Sequence, residues 1–275
     1  MRHTAIDVGA DPRAAHQARG GVGDLPAPSR RLWPSRRLRS RAAGTMDDVW
    51  PSNAGALIAL QDAVGRRPVE PWTRPPGPLL VGGCWVCFPR GLTGPGSAGD
   101  RAWAAAVVLR EVELMDQSLL LGEASAPYVP GLLASRIGGV LEAAVRGLTV
   151  LSDVLLIDAT GSDHPRRAGL AIHLGAVLEL PTVGITHRPL IGEGPWPADR
   201  RGASTRVQIG DDVVACWVRT RRGTRPVVVH PGWRVGLDDA IELVLELTPR
   251  RRTPEPLRVA RNLARRARAG ATRPK

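Results

Sequence analysis

Several residue types are scarce in this chain of 275 residues. Lysine occurs once, at Lys275, so arginine supplies nearly all of the positive charge, and tyrosine and phenylalanine occur once each. Three cysteines are too few to hold a small secreted domain together with disulfides. The sequence also shows no secretory signal pattern and no apolar run long enough to cross a membrane. We therefore expect a cytoplasmic protein with no membrane partner.

Two of the cysteines form a C-x-x-C pair, Cys84 and Cys87, inside the apolar run from Leu79 to Phe88. A short apolar run of this kind predicts a buried strand. Side chains three positions apart on a strand point to opposite faces, so this pair is badly placed to bind one zinc ion. The sequence therefore predicts buried, unreactive thiols.

The net charge of +12 is unevenly distributed along the chain. Residues 1–45 hold nine arginines and three aspartates, which is half of the total, and the stretch from Arg250 to Lys275 is also strongly basic. Basic segments attract phosphate without sequence preference. Because residues 1–45 lack apolar periodicity, we predict a disordered basic extension there and a natural start at Met46. We predict a folded domain over residues 46–268 and a disordered basic tail over 269–275.

The apolar pattern between these ends predicts an α/β domain. A helix over 54–63, capped by Ser52, precedes strands at 79–88, 103–110 and 112–120. A helix at 130–147, with Pro130 suited to its first turn, comes before a strand at 153–158, a helix at 169–179 and a strand at 182–186. Gly210-Asp211-Asp212 predicts a hairpin, and a strand at 227–230 precedes two helices. This order favours a mixed central sheet flanked by helices.

Three motifs follow one another along this domain. Residues 127–136 read Pro-Tyr-Val-Pro-Gly-Leu-Leu-Ala-Ser-Arg, residues 157–169 read Ile-Asp-Ala-Thr-Gly-Ser-Asp-His-Pro-Arg-Arg-Ala-Gly, and residues 226–234 read Pro-Val-Val-Val-His-Pro-Gly-Trp-Arg. In this order and at this spacing they closely resemble the endonuclease V family, whose members cut nucleic acid next to deoxyinosine or inosine. The resemblance covers roughly residues 48–265 and implies a ribonuclease H-like fold.

The resemblance also implies a Mg²⁺ site, and Mg²⁺ requires oxygen ligands such as carboxylates. Asp158 keeps the acid that ends the family's central strand. The residues at the family's other metal-site positions carry no carboxylate or imidazole, and they are Trp85, Ile137 and Trp233. His187 stands at the position of the family's functional lysine, and His164 matches its motif histidine. Because a single acid would hold Mg²⁺ weakly, we expect catalysis to be absent or severely weakened.

The nucleic-acid contacts that the resemblance implies are better preserved. Tyr128, Val129 and Pro130 match the wedge that the family inserts at the lesion, where an aromatic ring can replace lost base stacking. The residues that match the family's base pocket are Gly131, Leu133, His164 and Gly169. Ala159 replaces a glycine of that pocket. Arg166 and Arg167 are candidates for phosphate contacts.

We interpret the chain as an endonuclease V-like monomer that binds DNA or RNA, single-stranded or inosine-containing, without cutting it. An alternative is an active Mg²⁺-dependent nuclease with an altered site, in which Asp158 works with Asp163, His164 or His187. A third is a folded protein with no specific function. The residue patterns also allow purely structural roles, a hydrogen-bonded acid at Asp158 and core positions for His173 and His230.

Overall fold

The computed structural model describes residues 49–271. The predicted disordered extension at 1–45, the start at Met46 and the last residues of the predicted tail lie outside the described residues. Within 49–271, no helix is both long enough and apolar enough to cross a membrane.

An eight-stranded mixed sheet forms the centre of the described domain. Its strands are β1 (Leu80–Cys87), β2 (Arg101–Arg110), β3 (Glu113–Glu123), β4 (Val154–Ile157), β5 (Thr182–Thr186), β6 (Ser204–Ile209), β7 (Asp212–Val218) and β8 (Val227–Pro231). They lie in the order β3-β2-β1-β4-β5-β8-β7-β6. The pairs β1–β4 and β4–β5 are parallel, and the other neighbours are antiparallel. The predicted α/β class is confirmed, and the predicted hairpin joins β6 to β7.

Helices cover both faces of this sheet. They are α1 (Ala54–Gly65), α2 (Leu133–Arg146), α3 (Leu170–Leu178), α4 (Leu237–Glu246) and α5 (Glu255–Ala271). The N-cap of α1 is Asn53, whose Oδ1 accepts a hydrogen bond of 3.1 Å from the Ala56 amide, so the expectation that Ser52 caps this helix is wrong. Helix α2 begins three residues after Pro130, which therefore stands outside its first turn.

The alternation of side chains along the central strands divides the core between the two faces. In β4, Leu155 and Ile157 pack in a cluster with residues of α2 and α3, whereas Val154 and Leu156 pack with residues of α4 and α5. All four are buried, which explains why β4 reads as a continuous apolar run.

Helix α5 lies directly on β1, where Gly83 allows the close approach. A Cβ atom at Gly83 would meet the backbone of Pro256, so a side chain there would push the helix away. The helix continues to Ala271, past the predicted end of the domain at 268. Cys84 and Cys87 of β1 are free and buried, as predicted, and burial raises the pKa of both thiols.

Candidate nucleic-acid interface

Asp158 lies directly after β4, at the edge of the sheet where the parallel strands β4 and β5 end. It opens into a pocket of about 560 Å³ whose other walls come from the start of α2 and from the loop after β5. The residue is exposed to solvent, while the other walls of the pocket enclose the space beside its carboxylate. This enclosure raises the pKa of Asp158 to about 6, against the opposing effect of the Arg261 charge.

Trp85 stands beside Asp158, as the alignment of the two strands requires. Cys84 pairs with Ile157 in the parallel β1–β4 ladder, so the next residue on each strand points to the same face. That face is covered by α5, whose Arg261 places its guanidinium 5.6 Å from the centre of the Trp85 ring. The predicted neighbourhood of Trp85 and Asp158 is therefore present.

Arg261 is a site residue that sequence reasoning missed. Its Nε atom is buried and has no hydrogen-bond acceptor among residues 49–271. Its charge interacts with that of Asp158, yet the two groups form no ion pair within 4 Å in this part of the chain. The sequence shows Arg261 only as one of many arginines on a basic helix, and no local motif distinguishes it.

Ile137 and Trp233, the other two residues at predicted metal-site positions, lie in separate apolar clusters. Ile137, on α2, is 6% exposed and packs in the apolar cluster that contains Cys84 and Ile157. Trp233 exchanges backbone and side-chain hydrogen bonds with Thr182, at the first residue of β5. Thr182 pairs with Leu155, so Trp233 lies about three residues, or roughly 10 Å, from the level of Asp158.

The expectation that Trp233 belongs to the group around Asp158 is therefore wrong. Its ring packs against Ile172 and Ala176 of α3, and the Arg67 guanidinium lies 5.2 Å from the ring centre. The physical reason is the direction of β8. This strand runs antiparallel to β5, so its first residues, and not its last, lie next to the site.

His187 follows β5 and lines the same pocket as Asp158. Burial, together with the charges of Arg252 and Arg261, lowers its pKa. Arg188 lines the pocket beside it and is exposed.

Asp163 is not among the residues that line this pocket, and it stabilises a neighbouring loop. It is fully buried and accepts hydrogen bonds from the amides of Leu190, Ile191 and Gly192, at 2.6, 3.1 and 2.7 Å. These bonds hold the loop that carries the pocket wall after His187. The Asp163 carboxylate is therefore engaged by three amides and does not line the pocket with Asp158.

His164 helps to fix the wedge segment, which we define as residues 128–131. The carbonyl oxygen of Gly131 accepts from His164 Nε2 at 2.9 Å, from Arg166 Nη2 at 2.8 Å and from Gln61 Nε2 at 3.2 Å. Arg166 in turn donates from Nε to Gln61 Oε1 at 2.8 Å. Three separate segments of the chain thus meet on one oxygen atom, and Gly131 adopts the φ of +78° that the arrangement needs.

These bonds define the protonation state of His164. The amide of Arg166 donates to its Nδ1, so Nε2 carries the proton that is donated to Gly131. His164 is 2% exposed, and burial lowers its pKa to about 4. The ring is therefore a neutral structural donor at pH 7. Gln61 was missed by sequence reasoning, although a glutamine on the buried side of α1, one turn after Leu57, is a detectable signal.

The wedge segment presents its side chains at the mouth of the pocket. Tyr128 is 41% exposed and lines the pocket, and Val129 is 43% exposed beside it. The amide of Tyr128 donates to the carbonyl of Pro95 at 2.8 Å, which anchors the segment from its other end. Pro130, Gly131 and Leu133 line the pocket, as does Ala159.

The remaining predicted contact residues have structural partners. Arg166 is engaged with Gln61 and Gly131, and Arg167 pairs with Asp212 at 2.8 Å on the surface. Gly169 is the N-cap of α3, and a Cβ there would meet the carbonyl of Thr160 behind the pocket. His173 and His230 are fully buried, and His173 stacks on Trp50 with ring centres 4.6 Å apart.

The donor atoms around Asp158 do not fit Mg²⁺. Among residues 49–271, no group of three or more His, Cys, Asp or Glu side chains is placed to hold a metal ion. The neighbours of Asp158 on the α5 face are an indole ring and a guanidinium cation. Mg²⁺ binds through several oxygen ligands, and one carboxylate beside a positive charge does not supply them.

Comparison with known proteins identifies the family of this fold. Residues 80–262, which are more than half of the chain, match the sequence profile of Endonuclease V. The chain belongs to the endonuclease V family. Endonuclease V of Streptomyces avermitilis is 38% identical over 226 residues, which cover 81% of this chain and 96% of that protein. Endonuclease V of a Roseiflexus species is 35% identical over 222 residues, which cover 80% of this chain and 96% of that protein.

Solved endonuclease V structures share this architecture. The crystal structure of the Streptomyces avermitilis endonuclease V matches 82% of this chain and 96% of its own, with a TM-score of 0.73 and 38% identity. The catalytic domain of human endonuclease V matches 79% of this chain and 96% of its own, with a TM-score of 0.70 and 28% identity. The fold of the chain is therefore that of the endonuclease V family.

Proposed function

We propose that this endonuclease V family member binds DNA or RNA with an unpaired or deaminated base and does not cut the strand. The observation that carries the proposal is that the neighbours of Asp158 on the α5 face are Trp85 and Arg261, neither of whose side chains has an oxygen atom to offer a metal ion. Metal-assisted hydrolysis requires an ion that activates water and stabilises the charge of the transition state. The guanidinium repels that ion, and the indole ring fills the space where an acid would coordinate it.

The wedge segment supports binding. Tyr128 is exposed at the mouth of the pocket, and its neighbour Gly131 is held by three hydrogen bonds, so the segment is ordered before any ligand arrives. Stacking of an aromatic side chain on a base contributes about 1–3 kcal/mol. A crystal structure of Ciona intestinalis endonuclease V holds a DNA that contains an inosine, and this relative supports the choice of ligand.

The alternative of an active nuclease rests on the pocket that Asp158 and His187 both line. The other two candidate partners do not support it. Asp163 is engaged with three amides, and His164 donates to Gly131. A carboxylate and one imidazole would then have to perform the whole reaction, with Arg261 opposing a metal ion beside them.

A paired assay of cutting and binding tests the proposal. End-labelled single strands and duplexes, with and without deoxyinosine or inosine, are incubated with the protein in Mg²⁺, Mn²⁺ or EDTA, and an endonuclease V with intact acids serves as the positive control. We expect no product in any condition and measurable binding in all of them. Metal-dependent product that disappears in both Asp158→Ala and His187→Ala would establish the active alternative instead.

Binding itself is tested through the wedge segment. Tyr128→Ala is expected to reduce affinity for unpaired or inosine-containing strands by roughly tenfold, because stacking of 1–3 kcal/mol is lost. Affinity for intact duplex should change less. Equal losses on both ligands would show that Tyr128 does not act as a wedge, and absence of binding by the unaltered protein would refute the proposed function.

A further inference from the structure

Cationic side chains surround the pocket beside Asp158. Arg188 and His187 line the pocket itself. Arg252 donates from Nε and Nη2 to the carbonyls of Arg225 and Pro226, at 2.7 and 2.9 Å, immediately before β8 begins. The second residue of β8, Val228, pairs with Thr186, so these bonds place Arg252 at the end of the sheet where His187 lies.

Arg261 is the third arginine near the pocket, and it lies on α5, on the face of the sheet opposite to α2. Its guanidinium lies 5.6 Å from the centre of the Trp85 ring, and Trp85 neighbours Asp158 across the β1–β4 pair, so Arg261 lies beside Asp158. Burial and the Arg261 charge both lower the pKa of His187, and the same charge opposes the rise that burial causes in the pKa of Asp158. No hydrogen bond from its guanidinium to any residue of 49–271 is present, and its buried Nε has no acceptor. Arg261 is partly exposed, so an incoming oxygen atom can accept from the Nη groups that the described residues leave without an acceptor. The Trp85 ring holds the guanidinium in place through a cation–π contact.

The balance of charge at this position favours an anion. Three arginines, Arg188, Arg252 and Arg261, lie around Asp158 and His187, and Asp158 is the one carboxylate among the described residues that line the pocket. A guanidinium presents a planar fork of N–H donors that matches phosphate oxygens. It also stays charged at any pH at which the protein is folded, so its attraction for phosphate does not depend on a bound ion.

We infer that this arginine cluster, with Arg261 at its centre and Arg188 and Arg252 at its rim, binds a backbone phosphate of the nucleic acid without a metal ion. The inference rests on the proposed binding function and assigns its phosphate contact. The position that a metal-dependent nuclease would give to a cation is taken by a protein side chain with the same charge sign. The strand is thereby held beside Asp158 with no group able to deliver a metal-activated water.

Salt-dependent binding in EDTA tests this assignment. The affinity for a fluorescent, inosine-containing single strand is measured by anisotropy at several concentrations of NaCl. Loss of one phosphate contact is expected to reduce the slope of log K against log salt by about 1. Arg261→Gln and the exposed Arg188→Gln should both show this reduction. Arg146→Gln is the matched control, because Arg146 lies at the far end of α2 from the pocket and pairs with Glu142.

A second measurement locates the phosphate. One methylphosphonate, which removes the charge of a single phosphate, is moved stepwise along the strand. At one position the unaltered protein should lose the affinity that Arg261→Gln has already lost, and the two proteins should then bind equally. Melting temperatures of all variants establish that they are folded, and Arg188→Gln, at the surface, keeps the test decisive if Arg261→Gln unfolds.

The outcomes separate the two proposals. An unchanged slope in both arginine variants, with a loss of affinity in Tyr128→Ala, would overturn the arginine cluster and leave the binding function intact. A requirement for Mg²⁺ in binding would also overturn it. If the unaltered protein binds no strand in EDTA or in Mg²⁺, the proposed function fails and the phosphate assignment fails with it.

Discussion

Acidification is expected to weaken the fold through His164, because this ring is buried in its neutral form. Burial lowers its pKa to about 4 from the ordinary 6.5. The unfolded chain therefore binds a proton at a higher pH than the folded chain does. The contribution of His164 to stability is complete above pH 6.5 and is lost as the pH falls from 6.5 towards 4.

The size of this loss follows from the distance between the two pKa values. Each pKa unit corresponds to about 1.4 kcal/mol, so the free energy of unfolding should fall by roughly 2–3 kcal/mol between pH 7 and pH 4.5 because of His164 alone. His173 and His230 are also buried, with pKa values lowered to about 4, and they act in the same direction. A loss of this size is a large part of the stability of an ordinary domain.

Urea denaturation of the unaltered protein and of His164→Gln at both pH values isolates the share of His164. Glutamine offers an amide donor for Gly131 but does not titrate, so the variant should lose roughly 2–3 kcal/mol less on acidification. Gln61→Leu is the control, because it removes a bond to the same carbonyl without removing a titrating group. It should lower stability equally at both pH values. If acidification lowers the free energy of unfolding equally in His164→Gln and in the unaltered protein, the His164 ring is not a buried neutral donor.

Further predictions concern metal binding, the loop after β5 and the N-terminal extension. Millimolar Mg²⁺ should leave the melting temperature unchanged, since a ligand of the native state must raise it, and a rise that disappears in Asp158→Ala would contradict this. Trp85→Asp combined with Arg261→Gln should create a second carboxylate without the opposing cation, and Mn²⁺ should then raise the melting temperature of that double variant only. Asp163→Asn should destabilise the protein by about 1–3 kcal/mol in urea denaturation, because buried amides lose an ionised acceptor. A shortened protein that begins at Met46 should keep its melting temperature, and a fall of several degrees would show that the extension packs on the domain.

The helices and strands of this fold could be predicted from the sequence, whereas the pairing of the strands could not. Apolar periodicity is a local property, so it predicted the strands around Val81 and Leu155 and the helices that follow the motifs. The direction of β8 depends on its partners, and that direction removes Trp233 from the site. Arg261 was missed for a related reason. It lies near Asp158 because α5 packs over β1, and the spacing between the sequence motifs does not reveal this long-range contact.

The bonds on the Gly131 carbonyl have a consequence for the dynamics of the surface that meets a ligand. Because α1, the His164 loop and the wedge segment share one acceptor, none of them can open without breaking bonds of the other two. The Tyr128 amide, which donates to the Pro95 carbonyl, should therefore exchange with solvent more slowly than the amide of a free surface loop. A nucleic-acid strand therefore binds to a surface whose shape is already fixed. The loss of conformational entropy on binding then falls on the nucleic acid and not on the protein.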